Sequence, residues 1–228
     1  MNKSVLVTGA SGLIGKSIVK KFQDENWKIY AQVRSSKNVS FGDNVEIIEF
    51  DLEKDSGKNL ISKIPQLDLV INCAANQEVI PASEISTEKA AEIFMINTIA
   101  PFEIAVAAKS IGATVVINIS SIEGDVARLG HEIYGATKAA LDSITRSLAN
   151  SLAPMRVNGI RLGLVGDTNL TERWPSGVTA WNSLVPIKRF ASPAEVAAFV
   201  FQISSSDFNY ATGAIFDFDG GKSAAPGW

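Results

Sequence analysis

Short apolar runs alternate along the chain with longer stretches whose apolar residues recur on one helical face. Residues 5–8, Val-Leu-Val-Thr, read as a buried strand that Gly9 ends. Ile14, Ile18, Val19 and Phe22 then share one face of a helix. Further strands are predicted over 28–33, 45–50 and 67–72. A long helical stretch follows over 86–110. Pro101 should bend or interrupt it, because proline supplies no N–H and crowds the carbonyl four residues earlier. The β-branched run 114–119 predicts a fifth strand, 134–152 a helix, and 156–162 a sixth strand. Ser192-Pro193-Ala194-Glu195 carries a helix start: a capping serine, proline at the first helical position, and glutamate three residues after the cap. Val196, Phe199, Val200 and Ile203 give that helix its apolar stripe, and 214–218 predicts the last strand.

Strands alternating with helices imply βαβ units. The predicted fold class is α/β: a single Rossmann-type, doubly wound, mainly parallel sheet of about seven strands, with helices on both faces. No repeat or linker divides the chain, so one domain is expected over 1–228. The least regular stretch, 167–189, holds Pro175, Gly177 and two tryptophans. It reads either as a mobile flap over a ligand or as a packed surface loop.

Composition narrows the class of partner. Hydrophobic residues make up 46% and charged residues 20%, a globular balance. The formal net charge is −3 and no basic run stands out, which argues against nucleic acid. Cys73 is the only cysteine, which excludes an intrachain disulfide and suits a reducing cytoplasm. The first apolar run is too short for a signal peptide or a membrane span. The expectation is a cytoplasmic protein without a membrane partner. No His, Cys or carboxylate cluster has metal-ligand spacing, so no metal is expected.

The most informative stretch is Thr8-Gly9-Ala10-Ser11-Gly12-Leu13-Ile14-Gly15, where the first strand becomes the first helix. Gly9 permits a tight turn, Gly12 lets a pyrophosphate approach the backbone, and Gly15 lets the helix pack close to the strand. Orphan N–H groups at the helix start favour an anion. The Thr-Gly-x-x-Gly-x-x-Gly spacing resembles that of the short-chain dehydrogenase/reductase family. That resemblance implies a nicotinamide cofactor on the backbone of Gly9, Ser11, Gly12, Leu13, Ile14 and Gly15. It also implies that Asp51 and Leu52 meet the adenine. Asn72-Cys73-Ala74-Ala75 resembles the family's Asn-Asn-Ala-Gly motif, with Asn72 bracing the sheet and Cys73, Ala74 and Ala75 near the adenine ribose. Cys73 is read as a small buried residue rather than a nucleophile. The second strand ends in Gln32-Val33-Arg34-Ser35-Ser36-Lys37, without a carboxylate. Arg34 can clasp a 2′-phosphate with the Ser35 and Ser36 hydroxyls beside it, so NADP(H) is expected over NAD(H).

Tyr134-Gly135-Ala136-Thr137-Lys138 places tyrosine and lysine on one helical face. A free phenol has a pKa of about 10 and is a poor acid–base near neutrality. A lysine ammonium close by should pull that pKa toward working pH. Ser121 precedes Tyr134 by thirteen residues, the interval at which the family keeps a serine. The resemblance implies that Ser121 polarises the substrate carbonyl, that Lys138 also holds the nicotinamide ribose, and that Asn97 fixes a water joining the lysine to solvent. It further implies nicotinamide contacts from Leu164 and Val165, and a phosphate contact from Thr168.

The resemblance covers almost the whole chain. It is to the compact branch, which includes the β-ketoacyl-[acyl carrier protein] reductases. It implies an NAD(P)(H)-dependent oxidoreductase with a small carbonyl or alcohol substrate. It implies a homodimer or homotetramer built through the helices near 86–110 and 134–152. Two alternatives stand beside it. A sugar-nucleotide epimerase or dehydratase would need more chain after Gly163 to form a nucleotide pocket. A non-catalytic cofactor sensor would not need Ser121, Tyr134 and Lys138 together. His131 is either a substrate contact or a bystander without a partner, and Glu123 and Arg128 flank the same cleft.

Overall fold

Continuously apolar strands can hide their side chains only when both faces of the sheet are covered. The computed structural model, which describes residues 3–225, has that form. Seven strands, β1 (Ser4–Val7), β2 (Lys28–Val33), β3 (Val45–Glu49), β4 (Leu69–Asn72), β5 (Val115–Ser121), β6 (Arg156–Leu162) and β7 (Ile215–Phe218), form one sheet. All neighbours pair in parallel, in the order β3-β2-β1-β4-β5-β6-β7. The doubly wound sheet expected from the sequence is present. Residues 1–2 and 226–228 of the expected single domain lie outside the described residues.

The helices are α1 (Leu13–Asp24), α2 (Gly57–Ile61), α3 (Thr87–Phe94), α4 (Ala100–Lys109), α5 (Glu132–Ser151), α6 (Leu170–Arg173), α7 (Pro175–Leu184) and α8 (Pro193–Ser204). The strand pleat sorts the core into two layers. Val5 and Val7 join Ile18, Phe22 and Val200 under α1 and α8. Leu6 points the other way, toward Leu60, Ile104 and Leu148 under α2, α4 and α5.

The start of α8 follows its sequence signals. The Ser192 hydroxyl accepts from the Glu195 N–H at 3.3 Å, and the Glu195 carboxylate accepts from the Ser192 N–H at 2.8 Å. With Arg189 paired to it, the Glu195 carboxyl is held down to about 2. At the other end, the Arg156 guanidinium donates to the carbonyls of Ile203, Ser204 and Ser205. A cation there satisfies orphan carbonyls at the negative pole of the helix.

The helix expected over 86–110 is two helices joined by a π turn, Met95–Ile99. Pro101 explains it. Proline withholds the N–H that the Asn97 carbonyl would receive in an α-helix, and its ring crowds that carbonyl, so the backbone widens. Taken together, Thr87–Lys109 is long and apolar enough, by length and composition alone, to cross a membrane. Here its turn buries the polar Asn97 and Thr98 against α5. That is the behaviour of a helix covering a sheet.

Residues 167–189 are more regular than the sequence suggests, folding into the short helices α6 and α7. Pro175 sits at the first helical position of α7, where its fixed φ suits a helix start.

The α1–α8 layer is fastened by Phe22. Its ring meets Trp27 at 5.1 Å and Phe201 at 5.2 Å, both edge to face. Phe22 is fully buried. Phe22→Ala should therefore cost about 3–5 kcal/mol, read as a lower urea midpoint with an unchanged m-value.

Candidate active site

The strand order reverses between β1 and β4, and the loops leaving their carboxyl ends diverge there. A cleft of about 860 Å³ opens at that point. The β1 and β4 ends are tied by the Thr8 hydroxyl, which accepts from the N–H groups of Cys73 and Ala74 at 3.0 and 3.1 Å. A side chain at Gly9, whose φ is +64°, would strike Ala74 at 2.7 Å. A Cβ at Gly15 would lie 2.2 Å from the Gly9 carbonyl, so helix and turn touch only because residue 15 is glycine. Gly12 differs: its Cβ would meet only the Gly9 carbonyl, at 3.3 Å, and the rest of that space is cleft.

Helix α1 begins at this turn with no side-chain cap and no acidic residue in its first turn. Uncapped N–H groups, an open glycine and a helix dipole together fit a phosphate group. Gly9, Ser11, Gly12, Leu13, Ile14 and Gly15 all line the cleft. Sequence reasoning missed Gln32. Its carboxamide accepts from the Gly9 N–H at 2.8 Å and donates to the Phe50 carbonyl at 2.6 Å. It clamps the turn to the neighbouring strands. A polar residue inside an otherwise apolar strand is the signal that marked it.

Further along the wall come Arg34, Asp51 and Leu52, then Cys73, Ala74 and Ala75, then Leu164 and Val165. Ser35 is a correction: it is exposed, does not line the cleft, and accepts from the Lys37 N–H instead. Ser36 is a second one. Glu49, at the end of β3, takes both its N–H and its hydroxyl, at 2.9 and 2.5 Å. Those bonds lower the Glu49 pKa. The parallel pairing of β2 with β3 brings this carboxylate to the strand end where the sequence shows none. Thr168 also lies off the cleft wall, beside Asn169.

At the far end, Ser121, Tyr134 and Lys138 converge. Two glycines let the 3₁₀ turn Ile122–Gly124 press on α5. A Cβ at Gly135 would lie 2.6 Å from the Glu123 carbonyl, and one at Gly124 would lie 3.0 Å from the Ala139 nitrogen. This contact sets Ser121 against the first turn of α5. The Ser121 hydroxyl accepts from the Glu123 N–H at 3.1 Å and also interacts with the Tyr134 phenol.

Burial pushes Tyr134 up to about 12. The Ser121 hydroxyl pulls it down, Glu123 raises it further, and Arg128 lowers it. The net shift is upward, where the sequence led to the expectation of a phenol pulled toward neutral pH. Lys138 is itself 2% exposed, donates to the Ile119 carbonyl at 2.9 Å, and has its Nζ 5.6 Å from the Tyr134 ring centroid. Burial pulls it down to about 8, against small opposing effects from Cys73 and Asp142. Burial also pushes the Cys73 thiol up to about 12 and keeps it protonated.

Asn97 lies behind this group rather than on the cleft wall. Its amide accepts from the Asn76 N–H at 2.8 Å and donates to the Asn76 carbonyl and the Thr137 hydroxyl, at 2.9 and 3.0 Å. Asn72 donates to Asn118, which donates to Thr145 on α5, both at 2.8 Å. His131 is not without a partner, because its Nδ1 lies 2.6 Å from the Glu123 carboxylate. Among the described residues, no group of three or more His, Cys, Asp and Glu could hold a metal ion.

A family model described as enoyl-(acyl carrier protein) reductase matches residues 9–223. The chain belongs to the short-chain dehydrogenase/reductase family. It is an oxidoreductase of that family. Among curated relatives, it is 29% identical to the uncharacterized oxidoreductase YmfI of Bacillus subtilis, over 97% of this chain and 99% of the relative. It is 28% identical to L-xylulose reductase of Bos taurus, over 96% of each. Among solved structures, 4-hydroxyisoleucine dehydrogenase complexed with NADH aligns with a TM-score of 0.89 at 24% identity, over 99% of this chain and all of that one. ElxO with NADP bound aligns with a TM-score of 0.87 at 22% identity, over 99% of this chain and 100% of that one. These two likenesses establish the fold.

In this short-chain dehydrogenase/reductase, Gln32 makes a test of the turn. Gln32→Leu keeps the volume and removes both hydrogen bonds. It should weaken nicotinamide dinucleotide binding by about tenfold, the size of one lost hydrogen bond, as read by nicotinamide fluorescence.

Proposed function

We propose that the protein transfers hydride reversibly between a nicotinamide dinucleotide and a small carbonyl or alcohol substrate, with Tyr134 as its acid–base. One observation carries the reading: a single cleft has an uncapped helix start and glycine turn at one end and Ser121, Tyr134 and Lys138 at the other. The bound cofactor would supply or accept the hydride. The chain supplies position, charge and proton.

In reduction, Ser121 holds the substrate oxygen and stabilises charge as it develops there. Tyr134 donates the proton. Its elevated pKa keeps the phenol protonated across neutral pH, which suits an acid. Lys138 keeps a positive charge beside the phenol and would hold the ribose hydroxyls. Asn97 ties the backbone of the loop at Asn76 to the Thr137 hydroxyl on α5, next to that lysine. The four roles rest on geometry and on the family resemblance.

NADP(H) is the favoured cofactor. Arg34 lines the cleft, exposed and paired with no carboxylate among the described residues, while Glu49 is turned onto Ser36. The tryptophans of the 167–189 cover, Trp174 and Trp181, close the substrate end, and Trp181 packs against Gly163. We also infer a homo-oligomer. Ile99, Phe102 and Val106 are exposed on the outer face of the π turn and α4, a stripe that a second copy would cover. Half-buried Cys73 as the only thiol fits a cytoplasmic setting.

Three outcomes follow. Tyr134→Phe should abolish turnover on a carbonyl panel while leaving NADPH binding intact; undiminished turnover would overturn the acid–base assignment. Titration should show tighter binding of NADPH than of NADH, a preference lost in Arg34→Ala. Lys138 has its folded pKa depressed to about 8, so its charge is present below that value and absent above it. The kcat for reduction should accordingly fall as pH rises through about 8.

A further inference from the structure

His131 and Glu123 are the polar groups nearest the reacting end of the cleft that the proposed chemistry leaves unused. His131 occupies the N-cap of α5 but makes no side-chain cap bond. Its ring turns instead to Glu123, with Nδ1 2.6 Å from the carboxylate, and lies 5.2 Å from the Tyr134 ring at 59°. It is 5% exposed, and its Nε2 is buried without a partner among the described residues. A buried nitrogen left unpaired opposes stability. The contacts that the ring makes are to the Glu123 carboxylate and the Tyr134 ring.

Glu123 lines the cleft two residues after Ser121, and its N–H donates to the Ser121 hydroxyl. The second oxygen of its carboxylate accepts from Arg128 at 3.2 Å, and the Arg128 guanidinium lies 5.4 Å over the Trp174 ring. One carboxylate is thereby fixed from two sides, with the cover α6–α7 touching the clamp.

We propose that Glu123, clamped by His131 and Arg128, is a positioning residue that sets the charge around the Tyr134 phenol and tunes its proton transfer. The proposal deepens the hydride-transfer reading and rests on Tyr134 being the acid–base of that reaction. The charged and titratable groups facing Tyr134 are Glu123 and Arg128 from the loop after β5, Cys73 from the β4 end, His131 at the N-cap and Lys138 on α5. Glu123 opposes the phenolate and Arg128 favours it, so the pair acts with opposite signs on one group. His131 holds the carboxylate in place, and any movement of Arg128 with the Trp174 cover would change the balance.

The test uses the full chain. The Tyr134 phenolate is titrated by ultraviolet absorbance, each protein minus its Tyr134→Phe counterpart, which cancels Tyr30 and Tyr210. Glu123→Gln keeps the shape and removes the negative charge, and should move the titration to lower pH. Arg128→Gln should move it to higher pH. With the alcohol that wild type oxidises best in a panel, at one pH below the titration, the rate should rise several-fold in Glu123→Gln and fall several-fold in Arg128→Gln. His131→Phe releases the carboxylate and should lower kcat by about tenfold to a hundredfold, the scale of a small misplacement, with KM changing less. His131→Asn restores a donor to Glu123 and should recover most of that loss. Shifts of the same sign in the two charge variants, or none in either, overturn the proposal. Opposed titration shifts in a wild type that turns over no alcohol or carbonyl would instead count against the hydride-transfer reading and leave the coupling standing.

Discussion

The parallel pairing of β1 with β4 is the constraint on which the rest of the molecule depends. It places two strand ends side by side with crossovers leaving in opposite directions, and the cleft is the space between them. The Thr8 hydroxyl closes the junction by accepting two N–H groups that would otherwise be orphaned. Gly9 against Ala74 and Gly15 against the Gly9 carbonyl are contacts that any larger side chain would break. With the junction fixed, α1 can only point its uncapped N–H groups into the cleft.

The same logic of close approach builds the other end. Gly124 and Gly135 bring the turn after β5 onto α5, and this carries Ser121 to Tyr134. The π turn before Pro101 buries Asn97 where it reaches both the loop at Asn76 and Thr137 on α5. Three chain segments far apart in sequence thus meet around one buried lysine. Desolvation there does two opposed things: it holds the phenol protonated and it loosens the proton on the lysine. A proton held at Tyr134 is one that can be given away.

Much of this was legible in the chain. The apolar rhythm predicted seven strands, and the capping box at Ser192 and Glu195 formed as its residues indicate. Local signals of that kind are read correctly because their energetics are local: a cap bond joins residues three apart. The glycine turn, Arg34, Asp51, Cys73, Val165 and the Ser121–Tyr134–Lys138 group, all singled out in the sequence, line one cleft. Ser36 does not, because Glu49 at the end of β3, remote in sequence, takes its hydroxyl; Ser35 and Thr168 bond instead to near neighbours, Lys37 and Asn169.

The sequence by itself determined the order of elements, the strands that must be buried on both faces, and the residue types able to bind a phosphate and move a proton. It did so because hydrophobic periodicity, glycine and proline act within a few residues of themselves. Only the tertiary structure decided which charges those groups feel. Gln32 reached Gly9, Glu49 reached Ser36, His131 reached Glu123, and Lys138 found a backbone carbonyl instead of the phenol. Such pairings are set by strand register and helix docking, and burial multiplies their effect, because a charge out of water responds to every neighbour within a few ångströms.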